Sequence, residues 1–274
     1  MITKLKKGGE KSMQPDYKNW VPKGMCIGLW CGSILAMILF IIFGVLSIGV
    51  SGTFHTVLFI LTLLLMIGLF IPAIYMQILH QAFDYHGKRK LSKEIIEKIV
   101  EYVEAPENGK ILDIGCGSGA LTIAVAKKNP NALVTGLDRW GKEYASYSKA
   151  LCESNAKLEG VTNVYFAQGD AIKLPFEDNY FDTITSNYCI HNIPSKNRQE
   201  ILKEALRTLK KGGTFAIHDI FSKGKYGDMD LFIKELKEEG YEKVELIWTK
   251  DKFMKPGEAK FLSLADSALL IGKK

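Results

Sequence analysis

An uninterrupted apolar stretch dominates the first part of the chain. Residues 24–83 contain no Lys, Arg, Asp or Glu, and a short polar turn at 51–53 divides them into two halves. The halves, at about 25–50 and 54–79, each exceed the ~20 residues that a helix needs to cross a bilayer core. The pattern predicts two transmembrane helices in a tight hairpin, because both halves are too long for the core of a signal peptide.

The periodicity changes after the hairpin. Apolar residues at helical spacing in 91–104 predict an amphipathic helix that either covers a soluble domain or lies on the membrane, and the mixture of Glu and Lys on its polar face favours the first. Beyond it, strand-like runs alternate with helix-like runs, which is typical of a Rossmann-like, doubly wound and mostly parallel sheet. The pattern predicts strands at 110–115, 132–138, 161–168, 181–187, 213–220, 243–249 and 267–273, and helices at 120–128, 143–158, 196–210 and 229–239. Little helix separates the last two strands, so we expect them to be antiparallel.

Charge divides the chain into three parts. Residues 1–23 hold six lysines and two acidic residues, whereas 84–274 are nearly neutral within a net charge of +6. We therefore expect a basic tail (1–23), a membrane hairpin (24–83) and a soluble domain (84–274). The tail either binds anionic headgroups or is merely solvated. The absence of a basic stripe in the soluble part argues against a nucleic-acid partner.

The flanks of the hairpin predict its orientation. Lysines precede the first helix, and Lys88, Arg89, Lys90 and Lys93 follow the second, while the connecting loop carries no charge. By the positive-inside rule, both termini and the soluble domain are expected in the cytoplasm of a cell-membrane protein. The five cysteines show no metal-ligand spacing, so no metal site is predicted.

A glycine-rich turn provides the first chemical signal. The stretch at 111–120, ILDIGCGSGA, lies between the first strand and the first helix of the alternating region. Its glycines allow close approach of a ligand to the backbone at a helix N-terminus. The spacing also fits a dinucleotide fingerprint, and a glycine turn without any ligand remains an alternative.

Two carboxylates follow at strand ends. Asp138 ends the second strand, 21 residues after Gly117, where a carboxylate can accept hydrogen bonds from ribose hydroxyls. Asp170 follows the third strand, where a carboxylate can accept a hydrogen bond from an adenine amine.

Four stretches carry a family resemblance by their order and spacing: ILDIGCGSGA, VTGLD, QGDAIKLPFEDNYFD and LKKGGTF. Through them, the chain resembles the class I S-adenosylmethionine-dependent methyltransferases over roughly 90–274. The resemblance implies seven strands with the last antiparallel, and S-adenosylmethionine as the cofactor. By this resemblance, the glycine loop would hold the methionine part of the cofactor. Asp138 would bind its ribose, and Asp170 would contact its adenine. The residues it assigns to the cofactor are Asp113, Gly115, Gly117, Gly119, Asp138, Asp170 and Ala171.

Two features depart from the family pattern. Trp140 follows the ribose acid, where it either stacks on the adenine or packs against the next helix. The fourth strand ends in 186–193, SNYCIHNI, which lacks the Asn/Asp-Pro-Pro-Tyr signature of enzymes that methylate base or amide nitrogens. A nucleic-acid base is therefore a less favoured acceptor.

The candidate catalytic residues follow the fourth strand. Asn187, Tyr188 and His191 lie at the carboxyl edge of the sheet, where ligands bind in this fold. Asn187 either contacts the cofactor or positions the acceptor. His191 suits a general base, with a structural role in the loop as the alternative. His218 and Asp219 end the fifth strand at the same edge and rank second.

Three hypotheses of function remain open. The first is a membrane-anchored methyltransferase that acts on a quinone, a lipid or another small amphipathic molecule. The second is a membrane-anchored NAD(P)-dependent oxidoreductase, although 188–274 lack a Tyr-x-x-x-Lys pair. The third is a non-catalytic scaffold that retains the fold. The anchor would serve either a bilayer-soluble acceptor or recruitment to a membrane complex, and the pattern leaves the oligomeric state open.

Overall fold

The computed structural model describes residues 14–141 and 145–274, in two compact units. The smaller unit is Lys18–Ile95, and the larger combines the described residues up to Tyr17 with Ile96–Lys274. Most lysines of the predicted basic tail, at 4, 6, 7 and 11, lie outside the described residues. The four described residues before Lys18 group with the larger unit, whereas the sequence pattern assigned them to a separate tail.

The smaller unit contains the apolar hairpin. Helix α1 spans Lys23–Leu39 and continues as a π-helical turn over Phe40–Val45, and α2 spans Gly52–Ala82. Both are long and apolar enough, by length and composition, to cross a membrane. The first helix stops short of the predicted position 50, because Ser47 and Gly49 adopt left-handed φ angles of 54° and 72°.

The larger unit is built on a seven-stranded sheet in the order β3-β2-β1-β4-β5-β7-β6. β7 is antiparallel to both β5 and β6, and the other pairs are parallel, as the sequence predicts. The strands are β1 Lys110–Ile114, β2 Leu133–Asp138, β3 Val164–Gln168, β4 Phe181–Asn187, β5 Leu209–Ile220, β6 Lys243–Trp248 and β7 Ser267–Lys273. The helices are α3 Leu91–Glu101, α4 Ala120–Lys128, α5 Lys149–Leu158, α6 Arg198–Arg207, α7 Lys223–Tyr226, α8 Met229–Glu238, α9 Thr249–Lys252 and α10 Pro256–Phe261.

Helix α5 begins later than its pattern predicts. Ser148 has an extended backbone, and its side chain accepts a hydrogen bond from the Leu151 N–H at 3.2 Å. Ser148 is therefore the N-cap of α5, and the helix begins at the next residue, Lys149. The predicted start at 143 lies outside the described residues.

Helix α6 ends at Arg207 rather than at the predicted 210, because β5 begins early. Leu209 is fully buried and pairs with Phe181 at the start of β4. The register then shifts before Thr183 pairs with Thr214, which is an irregularity that accommodates the two lysines and two glycines between them.

The residues just before the hairpin form an N-terminal strap, Gln14–Tyr17, on the larger unit. The buried Asn155 side chain accepts a hydrogen bond from the Asp16 N–H at 2.8 Å and donates to the Asp16 carbonyl at 2.9 Å. It also donates to the Ser118 carbonyl at 3.0 Å, and the Ser118 hydroxyl donates to the Tyr17 carbonyl at 2.7 Å. The strap therefore contacts the turn between β1 and α4 directly.

Asn155→Asp should destabilise the larger unit more than Asn155→Ala does. The alanine loses hydrogen bonds at a buried site, at a cost of about 1–3 kcal/mol. The aspartate instead directs a buried carboxylate oxygen at two carbonyl oxygens. Urea unfolding of the full chain in detergent measures both. Asn131→Asp, at an exposed position, is the control and should lie within about 0.5 kcal/mol of wild type. Equal stability of Asn155→Asp and wild type would contradict the strap's role.

Candidate active site

The turn between β1 and α4 requires glycine. Gly115, Gly117 and Gly119 have φ angles of 73°, 55° and 83°, which residues with a side chain rarely adopt. A Cβ atom at Gly115 would lie 2.1 Å from the Cys189 Sγ. No side chain caps the amino end of α4. The space beside Gly115 is therefore occupied by Cys189, whereas the uncapped amino end of α4 offers backbone N–H groups, which suits a polar ligand.

Asp138, at the end of β2, connects with this turn. Its two carboxylate oxygens accept hydrogen bonds from the Gly117 N–H at 2.9 Å and the Trp140 N–H at 2.7 Å. The Trp140 indole N–H returns to the Gly117 carbonyl at 3.0 Å. A carboxylate accepts about four hydrogen bonds, so Asp138 retains capacity for ribose hydroxyls. Trp140 is held to the glycine turn, an arrangement that neither alternative of the sequence analysis describes.

Asp170 and Ala171 lie at the same edge, after β3. Asp138 pairs with Gln168 in the β2–β3 ladder, and the Gly169 N–H donates to the Asp138 carbonyl at 3.0 Å. One Asp170 oxygen accepts a hydrogen bond from the Ile172 N–H at 2.9 Å. The sheet thus brings the two predicted acids close together along neighbouring strands.

Asp113 points elsewhere. It is buried in the core, where its carboxylate accepts hydrogen bonds from the hydroxyls of Thr122 at 2.5 Å and Thr185 at 3.0 Å. Burial raises the pKa of this carboxyl to about 7, although the two hydroxyls counteract it. These contacts join β1, α4 and β4 behind the glycine turn, so we interpret Asp113 as a support of the turn.

Tyr188 also differs from its predicted catalytic role. Its hydroxyl lies 2.6 Å from the Ser267 Oγ, and burial raises the pKa of the phenol well above its ordinary value. Its backbone has a left-handed φ of 49°, and its N–H donates to the His218 carbonyl at 2.9 Å. We therefore interpret Tyr188 as the residue that ends β4 and turns the chain towards His191.

His191 forms a pair with Asp219. The His191 Nδ1 hydrogen-bonds one Asp219 oxygen, and its backbone N–H donates to the other at 3.0 Å. The Tyr226 hydroxyl also donates to Asp219, at 2.9 Å. Burial would raise the pKa of the Asp219 carboxyl, but these hydrogen bonds outweigh it and hold the pKa below its usual range. The His191 Nε2 has no hydrogen-bond partner among the described residues.

His218 lies beside Asp219 on β5. Its Nδ1 is 2.9 Å from the Asn187 Oδ1, and its Nε2 is 2.9 Å from the Thr249 Oγ1 and 3.2 Å from the Ser267 Oγ. Burial lowers the pKa of its imidazole to about 3, although Asp219 opposes this. His218 is therefore neutral at physiological pH.

Several of these partners carry no signal in the sequence. Asp219 was a second-rank candidate, and only the register of β4 against β5 shows that it meets His191. Nothing in the local pattern identified Tyr226, Thr249 or Ser267. Across 14–141 and 145–274, no group of three or more His, Cys, Asp or Glu residues could hold a metal ion.

The doubly wound sheet, the glycine turn and the two strand-end acids define a cofactor-binding α/β enzyme. A family model described as a methyltransferase domain matches residues 106–260, more than half of the chain, so the protein belongs to that family. The family is that of the S-adenosylmethionine-dependent methyltransferases, which argues against the oxidoreductase alternative. The glycine turn, Asp138 and Asp170 fit this cofactor.

Curated relatives include the demethylmenaquinone methyltransferases of Staphylococcus aureus strains JH9 and Newman. Each is 35% identical over 119 residues, which are 43% of this chain and 45% of the relative. The match thus spans less than half of their length.

Two solved structures are similar in fold. YcgJ from Bacillus subtilis is 19% identical, with a TM-score of 0.47 over 65% of this chain and 97% of that chain. The [4+2]-cyclase SpnF is 18% identical, with a TM-score of 0.49 over 70% of this chain and 85% of that chain.

The low pKa of His218 predicts a pH dependence of stability. An unfolded histidine has a pKa of about 6.5, whereas in the fold it is about 3. Between pH ~6.5 and ~3 only the unfolded chain binds this proton, so protonation there favours unfolding. The contribution of His218 to the free energy of unfolding is therefore fully present above pH ~6.5. Below that pH, the free energy of unfolding should fall by about 1.4 kcal/mol per pH unit down to pH ~3. Urea unfolding at pH 7.5, 6 and 5 tests this. His218→Asn should remove that part of the slope, and an unchanged slope would contradict the prediction.

Proposed function

We propose that the protein methylates an oxygen-bearing acceptor that partitions into the bilayer, with His191 as the general base. The observation that carries this proposal is the His191–Asp219 pair at the carboxyl edge of the sheet, beside the glycine turn. Bound S-adenosylmethionine would supply the methyl group: the bond between its positively charged sulfur and the methyl carbon would break as the deprotonated acceptor bonds to that carbon, the acceptor's proton would pass to His191, and the sulfur would remain as a neutral thioether.

The pair has the features of a base. Asp219 accepts the Nδ1–H of His191, so the neutral imidazole presents an unprotonated Nε2. When Nε2 takes a proton from the acceptor, the buried Asp219 carboxylate stabilises the imidazolium that forms. The His191 side chain is 12% exposed and that of Asp219 is 0% exposed, so water screens this charge pair little.

The acceptor is inferred from two lines of support. A base is needed when the acceptor must lose a proton, and the hydroxyl of a quinol or phenol meets that condition. The Staphylococcus aureus relatives are named for demethylmenaquinone, an isoprenylated quinone, and they are 35% identical to this chain over 119 residues. We therefore propose a quinol-like acceptor, ahead of a phospholipid amine.

The membrane location is also a proposal. Two apolar helices with lysine-rich flanks support a hairpin anchor with both ends in the cytoplasm. The strap precedes the first helix, and it is hydrogen-bonded to Ser118 and Asn155 of the larger unit. These contacts support the proposal that the chain before the first span and the domain after the second lie on one side of the membrane. Recruitment to a membrane complex is the alternative purpose of the anchor.

Replacing either member of the pair should impair turnover but not cofactor binding. We expect His191→Gln and Asp219→Asn to lower kcat by about 10²–10⁴-fold, the usual contribution of a general base. Equilibrium dialysis should give unchanged affinity for S-adenosylmethionine. His86→Gln, at an exposed histidine of the smaller unit, is the matched control. Full activity of His191→Gln would rule out the base.

The acceptor class can be tested with the full chain in proteoliposomes. The vesicles would contain phosphatidylethanolamine and an isoprenylated naphthoquinol without a ring methyl, together with methyl-labelled S-adenosylmethionine. A cytosolic extract would be offered outside the vesicles. We expect the label in the quinol, because it partitions into the bilayer and has an ionisable hydroxyl. Label confined to cytosolic molecules, or to the phospholipid amine, would contradict the proposed acceptor.

A further inference from the structure

A chain of polar side chains lies behind Asn187 and takes no part in the proton transfer described above. The Tyr188 hydroxyl and the Thr249 hydroxyl both lie within hydrogen-bond distance of the Ser267 Oγ, at 2.6 and 3.0 Å. Ser267 and Thr249 both reach the His218 Nε2, and the His218 Nδ1 meets the Asn187 Oδ1. His218, Thr249 and Ser267 are fully buried.

The direction of these hydrogen bonds follows from their chemistry. An amide oxygen only accepts, so the His218 Nδ1 must carry the proton that Asn187 receives. A neutral imidazole has one N–H, so the Nε2 must accept a hydrogen bond, which the Ser267 hydroxyl can donate because the Thr249 hydroxyl donates to the Ser267 Oγ. In this arrangement the His218 proton is on Nδ1, and the hydroxyls complete the hydrogen bonding at Nε2.

The hydrogen bond to His218 also fixes which end of the Asn187 amide faces the site. Since Oδ1 is bound to His218, the Nδ2 group is the end that remains for a ligand. Asn187 is half-buried and directly follows Ser186, which pairs with Ile114. It therefore lies beside Gly115, the first glycine of the cofactor turn, and His191 follows it four residues later.

We propose that His218 is a positioning residue that holds Asn187 as an N–H donor to an oxygen of the acceptor. The inference rests on the proposed function and narrows its substrate to molecules with an oxygen at the reacting end. Asn187 would stabilise the oxygen whose proton passes to the His191 Nε2, because an oriented donor is most effective where negative charge develops. A protonated amine offers only N–H groups and would gain nothing from such a donor.

Asn187→Asp tests the donor. One carboxylate oxygen still accepts the His218 proton, and the other presents a negative charge where the N–H stood. With the isoprenylated naphthoquinol in proteoliposomes, we expect kcat/KM for the quinol to fall about 10²–10³-fold. The dissociation constant of S-adenosylmethionine should change less than about threefold. Unchanged kcat/KM, or a loss that lies in cofactor affinity instead, would overturn the inference.

The hydroxyls test the positioning role. Thr249→Val and Ser267→Ala each leave one hydroxyl at the His218 Nε2, so each should cost a few-fold at most. The double variant leaves none, and its loss should exceed the product of the two single losses. Thr208→Val removes a buried hydroxyl that bonds the Ala205 carbonyl at the end of α6, and it is the matched control.

Nitrogen-15 spectra of histidine-labelled protein provide a readout that simple loss of packing would not move. They should show His218 with a protonated Nδ1 in wild type and in both single variants, and a mixture of tautomers in the double variant. A protonated Nε2 in wild type, or multiplicative losses in the double variant, would overturn the positioning role. Failure of the proposed function is distinguishable, because the wild-type protein would then not methylate the quinol at all.

Discussion

The buried Asp219 carboxylate is the constraint on which the site depends. A carboxylate without exposed surface costs several kcal/mol unless hydrogen-bond donors surround it. Here the donors are both N–H groups of His191, the Tyr226 hydroxyl and the Ile220 N–H. Because His191 contributes its backbone as well as its ring, the segment after β4 must fold back over the end of β5. The direction of the His191 ring is thereby fixed, with Nε2 left for chemistry.

His218, the residue before Asp219 on β5, orients a different part of the turn that follows β4. Successive side chains of a strand point to opposite faces of the sheet, so His218 and Asp219 contact different surroundings. Asp219 orients His191, and His218 orients Asn187. Two adjacent residues of one strand therefore fix both ends of the turn that follows β4, one as a charged acceptor and the other as a neutral donor. Between Asn187 and His191, the left-handed backbone of Tyr188 reverses the direction of the chain.

Local patterns were sufficient for much of this architecture. Alternating strands and helices predict a mostly parallel, doubly wound sheet but not its strand order, and the glycine turn and Asp138 occupy positions where a parallel fold collects ligand-binding groups. The contacts of Asp113 were not part of the pattern: its carboxylate accepts hydrogen bonds from Thr122 and Thr185 in the core. A motif specifies spacing along the chain, but the direction of a side chain depends on what surrounds it after folding.

Pairings across the chain could not be read from the sequence. His191 and Asp219 are 28 residues apart, and they meet because β4 and β5 pair in one register. Asn155 and Asp16 are 139 residues apart and lie on opposite sides of the apolar hairpin in sequence. A buried asparagine has no periodic signature, so nothing in the pattern indicated that the residues before the first helix belong to the catalytic unit.

The strap changes how the hairpin can be understood. The segment from Lys18 to Ile95 is an insertion between two parts of one folded unit, so the catalytic unit holds the hairpin at both ends. A segment whose two ends enter the same folded unit must return to the side from which it left, so this connectivity accommodates two spanning helices rather than one. The double connection thus supports the proposed hairpin anchor, whereas the proposed acceptor class rests on the chemistry of the His191–Asp219 pair.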